Sequence, residues 1–348
     1  MIALGVAGGV AMVLSLVGTP LLIRWLQARG FGQQIREDGP QGHVTKAGTP
    51  TMGGVMIVAG AMGGYLAGHV RQAGTVYTRS GLLVAFVVVG SGAVGLMDDW
   101  IAIRQRRNLG LSKRAKIAGQ LLVAGSFAVL AHTWAKVGTT VSLTRTSVPH
   151  LPHLAPVVWM IWAVVVIIGA SNAVNLTDGL DGLAAGSAAF AFSALTLIGF
   201  WQFRHLGVYH LRQALDPALV AVSLTGACVG FLWWNAAPAR IFMGDTGSLA
   251  IGGGLAALAL VQKVDLLLPA IGGLFVLVTL SVVIQVASFR LFHRRVFRMA
   301  PIHHHFELIG WPETTVIIRF WILAGMSTAL SIGVFFADFI SLHKAGGL

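Results

Sequence analysis

The sequence predicts an all-α membrane protein of a single domain, built from about ten transmembrane helices. Composition, long apolar runs and short polar connections support this prediction. Of 348 residues, 56% are hydrophobic and 10% are charged, whereas a soluble domain has about 25% charged residues. No polar stretch is long enough to fold separately, so residues 1–348 are expected to form one integral-membrane domain.

Ten runs have the length and apolar character of a transmembrane helix, which needs about 20 mostly apolar residues. The first run lacks a short apolar core followed by a small-residue cleavage site, so it is expected to be retained as a span. The predicted spans are 3–24, 53–70, 81–98, 114–133, 156–174, 182–201, 216–234, 247–264, 267–289 and 317–340.

Charged residues of both signs gather on one side of this arrangement. Most of the 24 Lys and Arg residues, and most of the twelve Asp and Glu residues, lie in or beside the connections that follow odd-numbered spans. The positive-inside rule predicts that this side is cytoplasmic and that both termini are external. The net charge of +12 favours anionic lipid or an anionic substrate, and nucleic acid is not expected as a partner because the basic residues occupy short loops.

Three further features concern the connections and the cysteine content. Residues 139–146 alternate apolar and β-branched polar side chains, which predicts a short external β-hairpin. The basic connection over 290–298 is typical of an amphipathic segment at the membrane surface. The single cysteine, Cys228, excludes an intramolecular disulfide framework.

An acidic pair, Asp98 and Asp99, ends the third span. A carboxylate at the bilayer centre costs roughly 2.5–3.5 kcal/mol, so acidic residues kept in apolar helices indicate a function. Adjacent carboxylates repel each other unless a cation lies between them, which suits a metal ligand and a proton acceptor. A solvated helix end balanced by nearby arginines is the alternative.

Polar side chains recur at every third position near the end of the fifth span: Asn172, Asn175, Asp178 and Asp181. Residues three apart face similarly on a helix, and hard cations prefer oxygen ligands of this kind. A capped helix junction would explain one of the aspartates but not the whole run.

A third segment precedes the eighth span and contains Asn235, Phe242, Gly244 and Asp245. Phe242 offers a ring face for a nucleobase, and Gly244 lets main-chain N–H groups approach a phosphate at a helix N-terminus. Asp245 adds a third carboxylate on the same side. Interfacial packing of Phe242 and helix capping by Asp245 are the simpler alternatives.

Two more segments are suited to phosphate. His303, His304 and His305 are consecutive, and the further ligands that structural zinc requires are missing at suitable spacing, which favours phosphate binding over zinc. A membrane-surface loop with solvated histidines remains the alternative. Lys46, just before the second span, is a point charge suited to phosphate.

Taken in order, five segments resemble the phospho-N-acetylmuramoyl-pentapeptide transferases (translocase I), a branch of the polyprenyl-phosphate N-acetylhexosamine-1-phosphate transferase family. The resemblance runs from about residue 36 to residue 322. The histidine segment favours this branch over relatives that use UDP-N-acetylglucosamine. The segments are 48–54 (GTPTMGG), 98–99 (DD), 172–182 (NAVNLTDGLDG), 242–245 (FMGD) and 301–307 (PIHHHFE).

The resemblance implies an activity in peptidoglycan synthesis: transfer of phospho-MurNAc-pentapeptide from UDP-MurNAc-pentapeptide to undecaprenyl phosphate, which gives lipid I and UMP. It also implies Mg²⁺ dependence, a homodimer, and a multi-pass location in the bacterial inner membrane with a cytoplasmic active site. The family often has a lysine where this chain has Ala102, so no residue is assigned that role.

The resemblance further implies roles for the candidate residues. Asp245 is the first choice for Mg²⁺ coordination, and Asp98 and Asp99 are additional candidate ligands that also handle a proton. Asn235, Phe242, Asp178 and Asp181 would line the nucleoside side, with the three histidines near the diphosphate. Asn172, Asn175, Gly244 and Lys46 complete the predicted substrate-binding set.

Two other functions compete with this interpretation. A polyprenyl-phosphate GlcNAc-1-phosphate transferase would share every segment except the histidines. A cation transporter would use membrane carboxylates as a permeation path, but it is expected to carry them near mid-span and in paired repeats. Here the acids cluster at one face and no repeat is found.

Overall fold

The computed structural model describes residues 1–29, 48–70, 76–105, 110–145 and 153–344. Ten long helices in these residues overlap the ten predicted spans, of which one is divided, and the all-α prediction is confirmed. Nine of them are long and apolar enough to cross a membrane, and the tenth, α2, has 17 residues. The helices are α1 (Ile2–Ala28), α2 (Gly54–Val70), α3 (Arg79–Arg104), α4 (Lys113–Thr133), α5 (Pro156–Thr177), α6 (Leu183–Arg204), α7 (Leu206–Tyr209), α8 (Leu215–Asn235), α9 (Gly244–Val261), α10 (Leu268–Ile271), α11 (Gly273–Phe292), α12 (Ile302–Leu308) and α13 (Glu313–Lys344).

The predicted ninth span, 267–289, is divided in the structure. Pro269 lies in the first turn of the short helix α10, and Gly272 follows that helix with non-helical backbone angles before α11 begins. Proline suits a first turn and glycine is a poor helix former, so the two residues explain the division.

Helix α9 forms the centre of the bundle. Every residue from Thr246 to Val261 is buried, and α9 contacts α2, α3, α5, α6 and α8. Its glycines and alanines let neighbouring helices approach closely, as is typical of membrane bundles. Its first turn therefore lies in the middle of one end of the bundle, among the ends of α3, α5 and α8.

The opposite end is held by a buried polar network. Lys263, 3% exposed, donates a hydrogen bond to the Gly138 carbonyl. Asp265 accepts from the Ser142 N–H (3.1 Å) and from Trp162 Nε1 (2.9 Å). Burial lowers the pKa of Lys263 to about 8 and raises the pKa of Asp265. The network fixes the connection after α4 against the turn after α9.

The β-hairpin predicted over 139–146 stays a prediction. The described part of this connection contains no strand, and Thr140 forms an isolated antiparallel bridge with His153. Residues 146–152 lie outside the part of the chain that the structure describes.

Candidate active site

Three carboxylates predicted from separate segments meet at one end of the bundle. Asp98 and Asp99 come from α3 and Asp245 from the first turn of α9, and each offers an oxygen within 4.8 Å of the others. The helices approach closely because Gly95 faces α9, where an added Cβ would overlap the Asp245 carbonyl. Grouped carboxylate oxygens are the donors that hard divalent cations take, so this acidic cluster could hold a metal ion.

Asp99 fixes the start of α9. It is 8% exposed and accepts hydrogen bonds from the N–H groups of Asp245 and Thr246 (both 3.0 Å) and from Thr246 Oγ1 (2.6 Å). Gly244 has a φ of +71°, and a Cβ there would lie 2.6 Å from Asp99 Oδ2. Glycine is therefore required at position 244 both by its backbone angle and by the close approach of Asp99.

Asp98 and Asp245 are the partly exposed members of the cluster. Asp98 accepts a hydrogen bond from the Leu111 N–H (3.1 Å). Asp245 accepts from Asn175 Nδ2 (2.7 Å) and forms an ion pair with Lys116. These two carboxylates are consequently the ones that an incoming ligand can reach.

Lys116 is a further charged residue at the acidic cluster, and its sequence motif did not indicate this position. The Ser112 hydroxyl caps α4 by accepting from the Ala115 N–H (3.2 Å), which puts Lys116 one turn into the helix. That turn faces the acidic cluster, and Lys116 brings a cation to it. The serine N-cap predicts where α4 begins, but nothing near Lys116 in the sequence indicates that it meets Asp245.

The first half of the 172–182 segment lies on α5 and contacts the neighbouring helices α4 and α9. Asn172 donates from Nδ2 to Gln120 Oε1 (3.0 Å) and to the Ile168 carbonyl (2.8 Å). Asn175 Nδ2 contacts Ser248 Oγ (2.9 Å) as well as Asp245. The two asparagines thus join α5 to α4 and α9.

The second half of the segment forms the turn between α5 and α6. Burial, together with the charges of Asp245, Asp99 and Asp181, raises the pKa of Asp178 to about 8. Asp181 is 4% exposed and accepts a hydrogen bond from the Ala239 N–H (2.9 Å). Asp178 therefore belongs to the electrostatic environment of the cluster, and Asp181 contacts the neighbouring loop.

Asn235 is buried and joins two loops beside the site through hydrogen bonds. It is 2% exposed; its Oδ1 accepts from the Gly182 N–H (3.1 Å) and its Nδ2 donates to the Ile241 carbonyl (2.9 Å). Phe242 is partly exposed, and its N–H donates to the Pro50 carbonyl (2.8 Å). This pairing places the segment before α9 beside the segment before α2.

The three histidines lie on α12 and point in different directions around that helix. His303 is fully buried, and a Cβ at Gly179 would lie 2.5 Å from His303 Nε2 and 3.2 Å from His304 Nε2. His304 Nδ1 lies 2.7 Å from Glu307 Oε2. His305 faces away, and its Nδ1 accepts from the Arg298 N–H (3.1 Å). Two of the three histidines therefore reach the turn that carries Asp178.

The structure thus brings most of the predicted residues together at one end of the bundle. The exception that cannot be placed is Lys46, which lies outside the described residues. The arrangement offers carboxylates, one lysine and two imidazoles around a partly exposed centre. Such a set can bind a divalent cation together with a phosphate-bearing ligand.

Comparisons with known proteins identify the family to which this chain belongs. The model of glycosyl transferase family 4 matches residues 81–263, and signature 1 of the phospho-N-acetylmuramoyl-pentapeptide-transferases matches residues 46–58. Similar proteins of that name occur in Frankia alni (52% identity, 97% of this chain and 98% of the relative), Saccharopolyspora erythraea (50%, 97% and 98%) and Streptomyces avermitilis (51%, 95% and 96%). The chain therefore belongs to the phospho-N-acetylmuramoyl-pentapeptide-transferase family of multi-pass membrane transferases.

Proposed function

We propose that this protein transfers phospho-MurNAc-pentapeptide from UDP-MurNAc-pentapeptide to undecaprenyl phosphate, releasing UMP and forming lipid I. The observation that carries the proposal is one cluster of three aspartates at the end of a membrane bundle: Asp98 and Asp99 from α3, and Asp245 from α9, which is far from α3 in the sequence. Relatives of about 50% identity along nearly the whole chain carry the name of this activity.

The proposed cofactor is Mg²⁺, and the donor set fits it. All candidate ligands are carboxylate oxygens, which Mg²⁺ prefers, and two of the three side chains are partly exposed. Asp245 and Asp98 would hold the ion directly, because the oxygens of Asp99 already accept three hydrogen bonds. When bound, the ion supplies neutralisation of the diphosphate charge.

The chain's own side chains would position the reacting phosphates. Lys116 brings a positive charge to Asp245, where it can stabilise negative charge that develops on the leaving UMP. Asp98 is partly exposed whereas Asp99 is buried, so an Asp98 oxygen that does not hold the ion is the more accessible proton acceptor of the adjacent pair. A phosphate monoester has a second pKa of about 6, so little base strength is needed at neutral pH.

The remaining residues divide into ligand contacts and positioning contacts. Phe242 is partly exposed and Asp178 lies near the cluster, which supports the proposal that they face the nucleoside. His303 and His304 approach the same turn and would donate to the diphosphate. Asn235 and Asp181 bind main-chain N–H groups, so positioning the loops is the role that their contacts support.

Orientation and assembly belong to the same proposal. Among the residues that the structure describes, most of the lysines and arginines lie in or beside connections at the cluster's end of the bundle, which favours a cytoplasmic active site and external termini in the bacterial inner membrane. We also expect a homodimer, by analogy with the family. The particle mass of the purified protein in nanodiscs would test that expectation.

Substrate identity is tested by UMP release from the purified, reconstituted protein. We expect release with UDP-MurNAc-pentapeptide, undecaprenyl phosphate and Mg²⁺, and a loss of release with EDTA. UDP-GlcNAc supplied instead should give little release, and an equal or faster rate would identify the GlcNAc-1-phosphate transferase. Release of UMP without the lipid would favour a two-step route through an aspartyl-phosphate.

A further inference from the structure

The helix that carries the histidines also carries an acidic residue that contacts one of them. On α12, His304 Nδ1 lies 2.7 Å from Glu307 Oε2. The two residues are three apart, and side chains at this spacing are neighbours on a helix. Backbone bonds hold both turns, since the His304 N–H donates to the Pro301 carbonyl (3.1 Å) and the Gly310 N–H donates to the Glu307 carbonyl (2.9 Å). The fold of α12 therefore brings the carboxylate to the imidazole ring.

The contact between His304 and Glu307 is shielded from water. The two side chains are only 14% and 11% exposed, so water competes less for their hydrogen bond than it does at an open surface. The ring of the fully buried His303 packs against the His304 ring edge to face, with centroids 4.3 Å apart. The His304 ring is thus held by a carboxylate and by a second imidazole.

The other nitrogen of the His304 ring lies toward the candidate site. A Cβ added at Gly179 would lie 3.2 Å from His304 Nε2, and Gly179 belongs to the turn that also carries Asp178. The missing side chain at position 179 lets the ring approach this turn closely. One edge of the imidazole therefore meets Glu307, and its Nε2 reaches the turn beside the acidic cluster.

This arrangement restricts the protonation of His304. An ionised carboxylate can only accept, so Nδ1 must carry the hydrogen that Glu307 accepts. A neutral imidazole would then have no hydrogen on Nε2, and a phosphate oxygen also only accepts. The ring can serve both partners only as an imidazolium, which a carboxylate on Nδ1 stabilises and orients.

We propose that Glu307 is a positioning residue for the transfer reaction. It fixes the orientation of His304 and stabilises its imidazolium form, so that Nε2 donates to the diphosphate of the nucleotide. The identity of this ligand rests on the proposed function. Glu307 acts through His304 and does not itself touch the ligand. If the pair served only to stabilise α12, its loss would lower the Tm without any coupling to His304 in ligand affinity.

The test is a double-mutant cycle on the Kd of UDP, measured with Mg²⁺ on the full-length protein in detergent. We expect H304A and E307M each to weaken UDP binding by roughly tenfold or more, since hydrogen bonds to charged groups have effects of this size. The H304A/E307M variant should bind UDP no more weakly than H304A, because Glu307 acts through His304. E307Q, whose amide oxygen still accepts but has no charge, should be intermediate. Uridine, which has no diphosphate, should bind all variants equally.

D338N is the matched control, because Asp338 is a carboxylate paired with Arg145 at the other end of the bundle; its Kd for UDP should be unchanged. Thermal unfolding shows whether each variant folds, and H304N replaces H304A in the cycle if the alanine variant does not.

Three outcomes would overturn the proposal. The first is wild-type affinity for UDP in folded E307M. The second is additive losses in the double variant, which would show that the two residues act separately. The third is wild-type affinity in E307Q, which would exclude the role of charge. Failure of the wild type to release UMP from UDP-MurNAc-pentapeptide would contradict the proposed function alone, because the cycle on UDP binding requires no turnover.

Discussion

Asp245 is held by three helices other than its own. Lys116 of α4 forms an ion pair with it, Asn175 of α5 donates to its carboxylate, and its own N–H donates to Asp99 of α3. A side chain fixed from three directions is preorganised, which favours electrostatic stabilisation without rearrangement during the reaction.

The D245N variant tests this residue directly. Asparagine keeps the shape but removes the charge that binds Lys116 and the proposed Mg²⁺, so kcat should fall by roughly 10²–10³-fold or more. UMP release at saturating Mg²⁺ measures the loss, and thermal unfolding shows whether the variant folds. The matched control is D338N at the other end of the bundle, where Asp338 pairs with Arg145. Near-normal turnover in folded D245N would remove Asp245 from the mechanism.

Lys116 gives a second prediction at this scale. Its ammonium lies beside the carboxylate that would bind Mg²⁺, so K116M should lower kcat by roughly tenfold or more through lost charge stabilisation. Because a competing cation is removed, the Mg²⁺ concentration for half-maximal activity should not rise. K113M is the control, since Lys113 is exposed in the same helical turn. Unchanged kcat with a higher Mg²⁺ requirement would show that Lys116 only supports the cluster.

The raised pKa of Asp178 predicts a pH dependence of stability. Its pKa rises from an ordinary value near 3.8 to about 8, so between these values the folded state binds more protons than the unfolded state. Stability must therefore fall as the pH rises through this window. In EDTA, the wild-type Tm should decrease from about pH 6 to about pH 8, and D178N should show a smaller decrease. An identical decrease in the variant would contradict the assignment.

At the scale of single elements, the start of α9 depends on Gly244. An alanine there would adopt a φ of +71° and place its Cβ 2.6 Å from Asp99 Oδ2. A non-glycine residue in the left-handed region costs on the order of 1 kcal/mol before any steric term. G244A should therefore lower the Tm and also lower activity, since the Asp99 contacts shift. G125A in α4 is the control, because nothing lies within 4 Å of a Cβ there, and it should be neutral or stabilising.

The helices were largely predictable, and the contacts between them were not. Apolar runs bounded by charges predicted each span, but they did not reveal that Gly272 divides the ninth one. The spacing of three residues predicted that Asn172, Asn175, Asp178 and Asp181 face the same way on one helix. In the structure they contact different neighbours, because the helix ends after Thr177 and the last two lie in a turn. Lys116 was missed because its partner Asp245 is 129 residues away, and a single sequence carries no signal for such a pairing.

At the scale of the whole molecule, the two ends of the bundle differ in how their charged groups are paired and exposed. One end carries the acidic cluster and the histidines. The other is closed by buried pairs such as Lys263 with the 138–142 connection. At that second end the charged groups of Lys263 and Asp265 are hydrogen-bonded within the protein, whereas at the first end partly exposed carboxylates remain open to a ligand. The asymmetry supports an enzyme that meets its soluble substrate on one side of the membrane only.

That asymmetry predicts which end reaches the cytoplasm. Cys228 is buried, so single cysteines introduced at exposed positions can be labelled selectively. Arg294 lies near the cluster's end and Arg212 at the opposite end, and both are exposed. With a maleimide that does not cross the plasma membrane, R212C should be labelled in spheroplasts and R294C only after lysis, because the basic end is retained inside. The reverse pattern would place the acidic cluster outside, away from any cytoplasmic nucleotide-sugar, and the proposed reaction would lose its substrate.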